Sequence, residues 1–192
     1  GFPLPDDPGP GAVCGACAGR EPAYDSARAA LAYDDNSRRL ILDLKRGGRR
    51  DGLPVFARWM AAAGQESLAR ADFLAPAPMH WTRLAVRSFN QAAWLAQALA
   101  RATGKPWKPG ALVRVKRRRS QEGLSASERR RNVGGAIKAG GRFKGKIALI
   151  VDDVFTTGAT LEACSRALRK AGAAEVHALT LARVVRPIDI ST

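Results

Sequence analysis

The chain is poor in the residues that staple a small domain or ligate metals: 192 residues contain only three cysteines and two histidines. Three cysteines cannot supply a disulfide framework, so the fold must rest on a hydrophobic core. Acidic residues are also scarce, 17 Asp and Glu against 32 Lys and Arg, for a net charge of +15. No stretch approaches the roughly 18 consecutive apolar residues of a membrane span. Nor does the N-terminal region follow the basic, apolar, small-residue order of a secretory signal, so the cytoplasm is the expected compartment. Two nucleotide-binding signatures are missing as well, the G-x-x-x-x-G-K-[ST] phosphate loop and the G-x-G-x-x-G dinucleotide turn. What is present in quantity is apolar residue, 46% of the chain, which excludes a disordered basic tail and predicts one domain with a small appendage.

The positive charge is localised. Residues 1–100 carry 12 basic and 10 acidic side chains, residues 101–146 carry 15 and 2, and residues 147–192 carry 5 and 5. A cluster of that density needs either free access to water or an anionic partner. Compact phosphates and nucleic acid are the two partner classes it suits.

Strand and helix patterns alternate along the chain. Residues 1–23 hold five prolines and Cys14-Gly15-Ala16-Cys17, and read as an irregular segment. Ala27–Tyr33 is a strand candidate, followed by a helix over Ser37–Arg46 and a second helix after Pro54. Phe73-Leu74-Ala75 is a short strand that runs into the shaped loop Pro76-Ala77-Pro78-Met79-His80. Ala92, Leu95, Leu99 and Ala102 form a helical stripe that stops at Gly104, and Leu112–Val115 is a further strand. Ser125 and Glu128 have the spacing of a capping box ahead of a basic helix. Ile147–Val151 is apolar on both faces, as a central parallel strand requires. A helix carrying Leu161, Cys164, Leu168 and Ala171 follows, then a strand over Glu175–Ala182. This βαβ rhythm predicts an α/β fold with a mostly parallel central sheet flanked by helices.

Ile147–Thr160 carries the chemistry. Ligands of open α/β sheets lie beyond the carboxyl ends of the strands, and Asp152-Asp153 stand at that end of the most buried one. Adjacent half-buried carboxylates repel and lose hydration, a cost best tolerated where sugar hydroxyls or cations use them. Thr156-Thr157-Gly158-Ala159-Thr160 follows as a small-residue loop opening a helix, and free N–H groups, hydroxyls and the helix N-terminus together suit a phosphate. The simpler alternative has the aspartates capping the helix and the threonines serving as turn residues.

The segment Val151-Asp152-Asp153-Val154-Phe155-Thr156-Thr157-Gly158-Ala159-Thr160 resembles the phosphoribosyl pyrophosphate (PRPP) motif of type I phosphoribosyltransferases. Pro76–His80, Arg87-Ser88-Phe89-Asn90-Gln91, Gln121 with Leu124, and Asn132-Val133 resemble the signature of one branch, the competence protein F (ComF) family. The resemblance runs from about Tyr24 onward and implies a phosphoribosyltransferase-like domain over 24–192. It implies that Asp152 and Asp153 are the catalytic pair holding the ribose hydroxyls and that Thr156, Thr157, Gly158, Ala159 and Thr160 take the 5′-phosphate. Ala77, Pro78 and His80 would face pyrophosphate with Arg83 and Arg87 nearby, and the basic stretch around Arg117–Gln121 would cover the site. Arg83 and Arg87 suit phosphate oxygens as guanidinium forks but read equally as surface charges. The implied reaction displaces pyrophosphate from the anomeric carbon, with Mg²⁺ as cofactor.

Two positions depart from the family pattern: Arg118 replaces a usual threonine and Ser88 a usual glycine. Cys14 and Cys17 supply only half of a tetrahedral zinc site, so Zn²⁺ is not expected, and residues 1–23 look like the remnant of a four-cysteine zinc module. Cys164 reads as a core residue. Trp81 and Trp107 read as packing groups, or as base-stacking rings if exposed. Two functions remain open on these residues. One is a PRPP-dependent phosphoribosyltransferase linked to DNA uptake; the other is a nucleic-acid accessory protein that uses residues 114–131 on single-stranded DNA or another polyanion, with the PRPP site regulatory or vestigial.

Overall fold

The computed structural model describes residues 19, 21–46, 50–79, 89–115 and 137–185. Four strands, β1 (Ser26–Ala32), β2 (Phe73–Pro76), β5 (Ile147–Phe155) and β6 (Glu175–Arg183), form one sheet in the order β1-β6-β5-β2. All of its pairings are parallel, so every carboxyl end lies on the same side. The strands β3 (Leu112–Arg114) and β4 (Ile137–Ala139) pair antiparallel in a separate two-stranded sheet.

The apolar run in β5 explains its central place. Ala148 and Ile150 belong to a core shared with Leu161, Cys164 and Leu168 of α5 (Ala159–Lys170), with Leu112 of β3 and with Ile137 of β4. Leu149 and Val151 belong to the core on the opposite face. That second core joins Ile41 and Leu44 of α1 (Asp35–Arg46), Phe56 and Met60 of α2 (Leu53–Ala63), Leu68 of α3 (Gln65–Arg70), and Leu95 and Leu99 of α4 (Gln91–Thr103). Full burial of β5 is interrupted after Val151: Asp152, Asp153 and Val154 are half-buried, and Phe155 is buried again.

Most helix boundaries follow local chemistry. Pro54 sits in the first turn of α2. Asn90 caps α4, and Gly104 ends it at φ +70°, a conformation that glycine adopts without a Cβ penalty. The helix expected over 37–46 begins earlier, at Asp35, because Asp34 and Ser37 cap each other reciprocally. Ser37 N–H donates to Asp34 Oδ1 at 2.8 Å and Asp34 N–H donates to Ser37 Oγ at 2.9 Å. The strand expected over 112–115 ends at Arg114 and lies outside the main sheet.

Trp107 is half-buried against the α2/α4 core and packs rather than offering a free stacking face. Its neighbours cover the outer edge of β2: Leu74 N–H donates to Pro106 O, and Lys108 N–H donates to Leu74 O. His177 is buried at the amino end of β6, where its Nδ1 lies 2.9 Å from Ser26 Oγ and its Nε2 3.1 Å from Glu175 Oε2. That histidine is engaged in holding β1 to β6, on the side of the sheet opposite the acidic pair. No helix among the described residues is long and apolar enough to cross a membrane.

Candidate functional site

The site forms where β2 leaves the sheet. Pairing of β2 with β5 ends at Pro76 and Val151, and Ala77 N–H makes a last bond to Val151 O at 2.8 Å. On its other side β5 stays paired with β6 through Asp152–Thr180, Val154–Ala182 and Phe155–Arg183. Asp152 and Asp153 therefore occupy a stretch of strand supported by one neighbour, and both are half-buried.

The alternation of faces slips at this pair. Ala148 and Ile150 face the α5 core and Leu149 and Val151 the α4 core, yet Val154 packs against the α4 core and Phe155 against that of α5. Strict period-two alternation would place them the other way round. Each carboxylate turns back on the following N–H: Asp152 Oδ1 accepts from Asp153 N–H at 2.9 Å, and Asp153 Oδ1 accepts from Val154 N–H at 2.7 Å. Both groups thus stand where the alternation slips near the strand's carboxyl end, the position at which open α/β sheets bind ligands.

Phe155 anchors the next turn. It is buried, meets the Tyr24 ring edge-on at 6.3 Å between centroids, and carries the Arg183 guanidinium 4.2 Å above its face. Thr156 and Thr157 are exposed, and Gly158 is buried at φ +79°. Gly158 is itself the N-cap of α5 and brings no side-chain cap. The nearest hydroxyl interaction is long, Ala159 N–H to Thr157 Oγ1 at 3.4 Å. The first turn of α5 therefore presents backbone N–H groups and the positive end of the helix dipole beside exposed Thr156, Thr157 and Thr160. The N-cap of α5 is Gly158, and each aspartate has an oxygen that accepts from an N–H of its own strand.

One side chain missed as a working residue by sequence reasoning holds the opposite rim. Asn90 Oδ1 accepts from Ala92 N–H at 3.0 Å, capping α4, while Asn90 Nδ2 donates to Ala77 O at 3.0 Å. The two ends of the connection from Ala77 to Asn90 are thereby clamped together beside the acidic pair. Ala77 is buried and Pro78 half-buried. Just inside α4, Trp94 is sandwiched: Phe89 stacks on it at 4.2 Å and 9°, and the Arg50 guanidinium lies 4.5 Å from its ring centroid.

Cys164 lies fully buried on α5. Its thiol pKa is raised, first by burial and then by the negative charge of Asp152, against a smaller opposing effect of Arg114. It is a core residue with no thiolate chemistry. Among the described residues no group of three or more His, Cys, Asp and Glu is arranged to hold a metal. His80, Arg83, Arg87, Arg118, Gln121, Cys14, Cys17, Trp81, Ser88 and the expected basic helix from Ser125 lie outside the described residues.

Comparison with known proteins agrees with the motif. A phosphoribosyl transferase domain model matches residues 85–187. Competence protein F of Haemophilus influenzae is 32% identical over 178 residues, covering 88% of this chain and 78% of that protein. The DNA utilization protein YhgH of Salmonella typhimurium is 30% identical over 181 residues, covering 92% and 80%. In a solved structure, the B. subtilis glutamine PRPP amidotransferase complexed with ADP and GMP matches at 27% identity and TM-score 0.45 over 67% of this chain, which spans 25% of that larger protein. By domain match and by similarity over 88% of its length, the chain belongs to the competence protein F family of proteins with a phosphoribosyl transferase domain.

Proposed function

We propose that this protein binds PRPP with Mg²⁺ at the carboxyl end of β5 and transfers its phosphoribosyl group with release of pyrophosphate, in the service of DNA uptake or utilisation. One observation carries this reading: a half-buried acidic pair stands shortly before a glycine-capped helix N-terminus, at the carboxyl end of a parallel strand. Asp152 and Asp153 suit vicinal ribose hydroxyls, and the Thr156–Thr160 turn suits a 5′-phosphate. The link to DNA draws on the names of the relatives, competence protein F and DNA utilization protein.

The donor set fits Mg²⁺ in one mode. Among the described residues no third acidic or imidazole group joins the two carboxylates, which matches a hydrated ion held largely by ligand oxygens and water. When bound with the substrate, Mg²⁺ would supply charge neutralisation for the leaving pyrophosphate. The chain's own share is orientation: the carboxylates hold the ribose, and the α5 N-terminus fixes the phosphate. Displacement then breaks the bond from the anomeric carbon to pyrophosphate and forms one to the incoming nucleophile.

The concentration of charge in residues 101–146, 15 basic against 2 acidic, favours a second reading in which a basic surface binds single-stranded DNA and PRPP is a regulator. The two readings separate in solution. Calorimetric titration with PRPP, with and without Mg²⁺, followed by a pyrophosphate-release assay across candidate bases, tests the first. Mg²⁺-dependent binding with pyrophosphate release supports transfer; no binding rejects it. For the second, affinity for a single-stranded oligonucleotide should fall steeply with salt, with a log–log slope of about −0.7 per phosphate contact. Absent or salt-insensitive binding rejects it.

A further inference from the structure

Two side-chain donors among the described residues are buried without a hydrogen-bond partner, Gln91 Nε2 and Arg114 Nε. Gln91 is the more completely enclosed, at 2% exposure. Buried amides are nearly always paired, and an orphan is a place where a ligand or water is to be sought. Its position narrows the choice. Gln91 opens α4 and shares one helical face with Leu95 and Leu99, which are fully buried over Leu74, Leu149 and Val151. It is the last rung of that stripe, one turn nearer the carboxyl ends of β2 and β5, and the adjacent Asn90 is bonded to Ala77 O. The stripe thus changes from leucine to an unpaired amide donor at the point where it reaches the site.

The same helix end is electropositive. α4 has 13 residues, and its first turn contains no acidic side chain. In the PRPP reading the 5′-phosphate lies on the α5 N-terminus and the hydroxyls on the acidic pair, which leaves the α4 end, tied to β5 through Asn90, Ala77 and Val151, for the pyrophosphate.

We infer that Gln91 is a ligand-binding residue: its Nε2 donates a hydrogen bond to an oxygen of the pyrophosphate group, beside the α4 N-terminus. This rests on the PRPP reading and adds a specific donor to it. Binding would pair an amide that has no partner among the protein's own groups, and part of the affinity would come from that bond.

The test uses the full chain, titrated with PRPP and Mg²⁺ and separately with inorganic pyrophosphate and Mg²⁺, alongside unfolding midpoints without ligand. Gln91→Met keeps the volume and removes the orphan donor. The expected result is an unfolding midpoint equal to or above that of the parent, together with affinity about 10- to 100-fold weaker for both anions. Gln91→Glu keeps the shape and is expected to bind more weakly still, through repulsion; it decides the matter if the methionine variant does not fold. Parent-like affinity in either folded variant overturns the inference. If the parent binds pyrophosphate but not PRPP, the proposed function fails and Gln91 is judged on pyrophosphate alone. If the parent binds neither, both are rejected.

Discussion

Phe155 occupies the space that a side chain at Gly158 would need: a Cβ built on Gly158 would lie 2.6 Å from Phe155 Cε2. The ring is pinned from elsewhere by Tyr24 and Arg183, so it cannot simply give way. Gly158 also sits at φ +79°, so the turn before α5 requires glycine for two separate reasons. Gly158→Ala is expected to cost about 1–3 kcal/mol from the backbone alone. PRPP affinity should fall with it, because the displaced turn carries the N–H groups proposed to hold the 5′-phosphate. Denaturant unfolding and calorimetry on the same preparation check both effects; unchanged stability would contradict the packing assigned to Phe155.

Asn90 is expected to matter twice. Removing its side chain takes away the α4 cap and the bond to Ala77 O. Asn90→Ala should destabilise by about 0.5–2 kcal/mol. Asn90→Asp retains the acceptor for Ala92 N–H but not the donor to Ala77 O, so it should recover stability more fully than it recovers PRPP affinity. Equal recovery of both would remove the clamping role.

At the opposite end of the sheet, the Asp72 carboxyl is held below its ordinary pKa of 3.8, chiefly by the N–H of Ile147 and further by the charge of Lys146. A carboxylate whose folded pKa is lowered stabilises the fold fully above its unfolded pKa, and that contribution is lost as pH falls through the lower folded value. The difference in unfolding midpoint between the parent and Asp72→Asn should therefore be constant near neutral pH and shrink below about pH 4. Melting curves across that range decide it; a difference that grows on acidification would contradict the assignment.

Cys164 should be inert in the folded protein. Its burial and raised pKa keep the thiol protonated and out of reach. Alkylation followed by peptide mass spectrometry should modify Cys164 only after denaturant is added.

Much of this arrangement is legible in the sequence because local patterns dictate it. The doubly apolar run of β5, the 92/95/99 stripe of α4 and the acidic pair before Thr156–Thr160 each carry their meaning within one or two turns of chain. The three-residue strand β4 is too short to show alternation, and its pairing with β3 is antiparallel across a long connection, so no local pattern marks it. The slip in alternation around Asp153 is defined by which core Val154 and Phe155 meet, which is a property of the assembled sheet. Asn90 and Gln91 are visible as letters of a family signature. Their work, a clamp onto Ala77 and an unpaired buried amide, exists only once α4 is laid against β2 and β5.

In the proposed function, the acidic pair Asp152 and Asp153 holds the ribose of PRPP. The most direct measurement is the Mg²⁺-dependent calorimetric titration of PRPP into the parent and into Asp153→Asn, with unfolding midpoints recorded for both. Asp153→Asn keeps the side-chain oxygen that accepts from Val154 N–H, so the fold should persist with a similar midpoint. Affinity should fall by at least about tenfold, the scale of a lost charge-assisted hydrogen bond. A folded Asp153→Asn protein that binds PRPP as tightly as the parent would contradict the site.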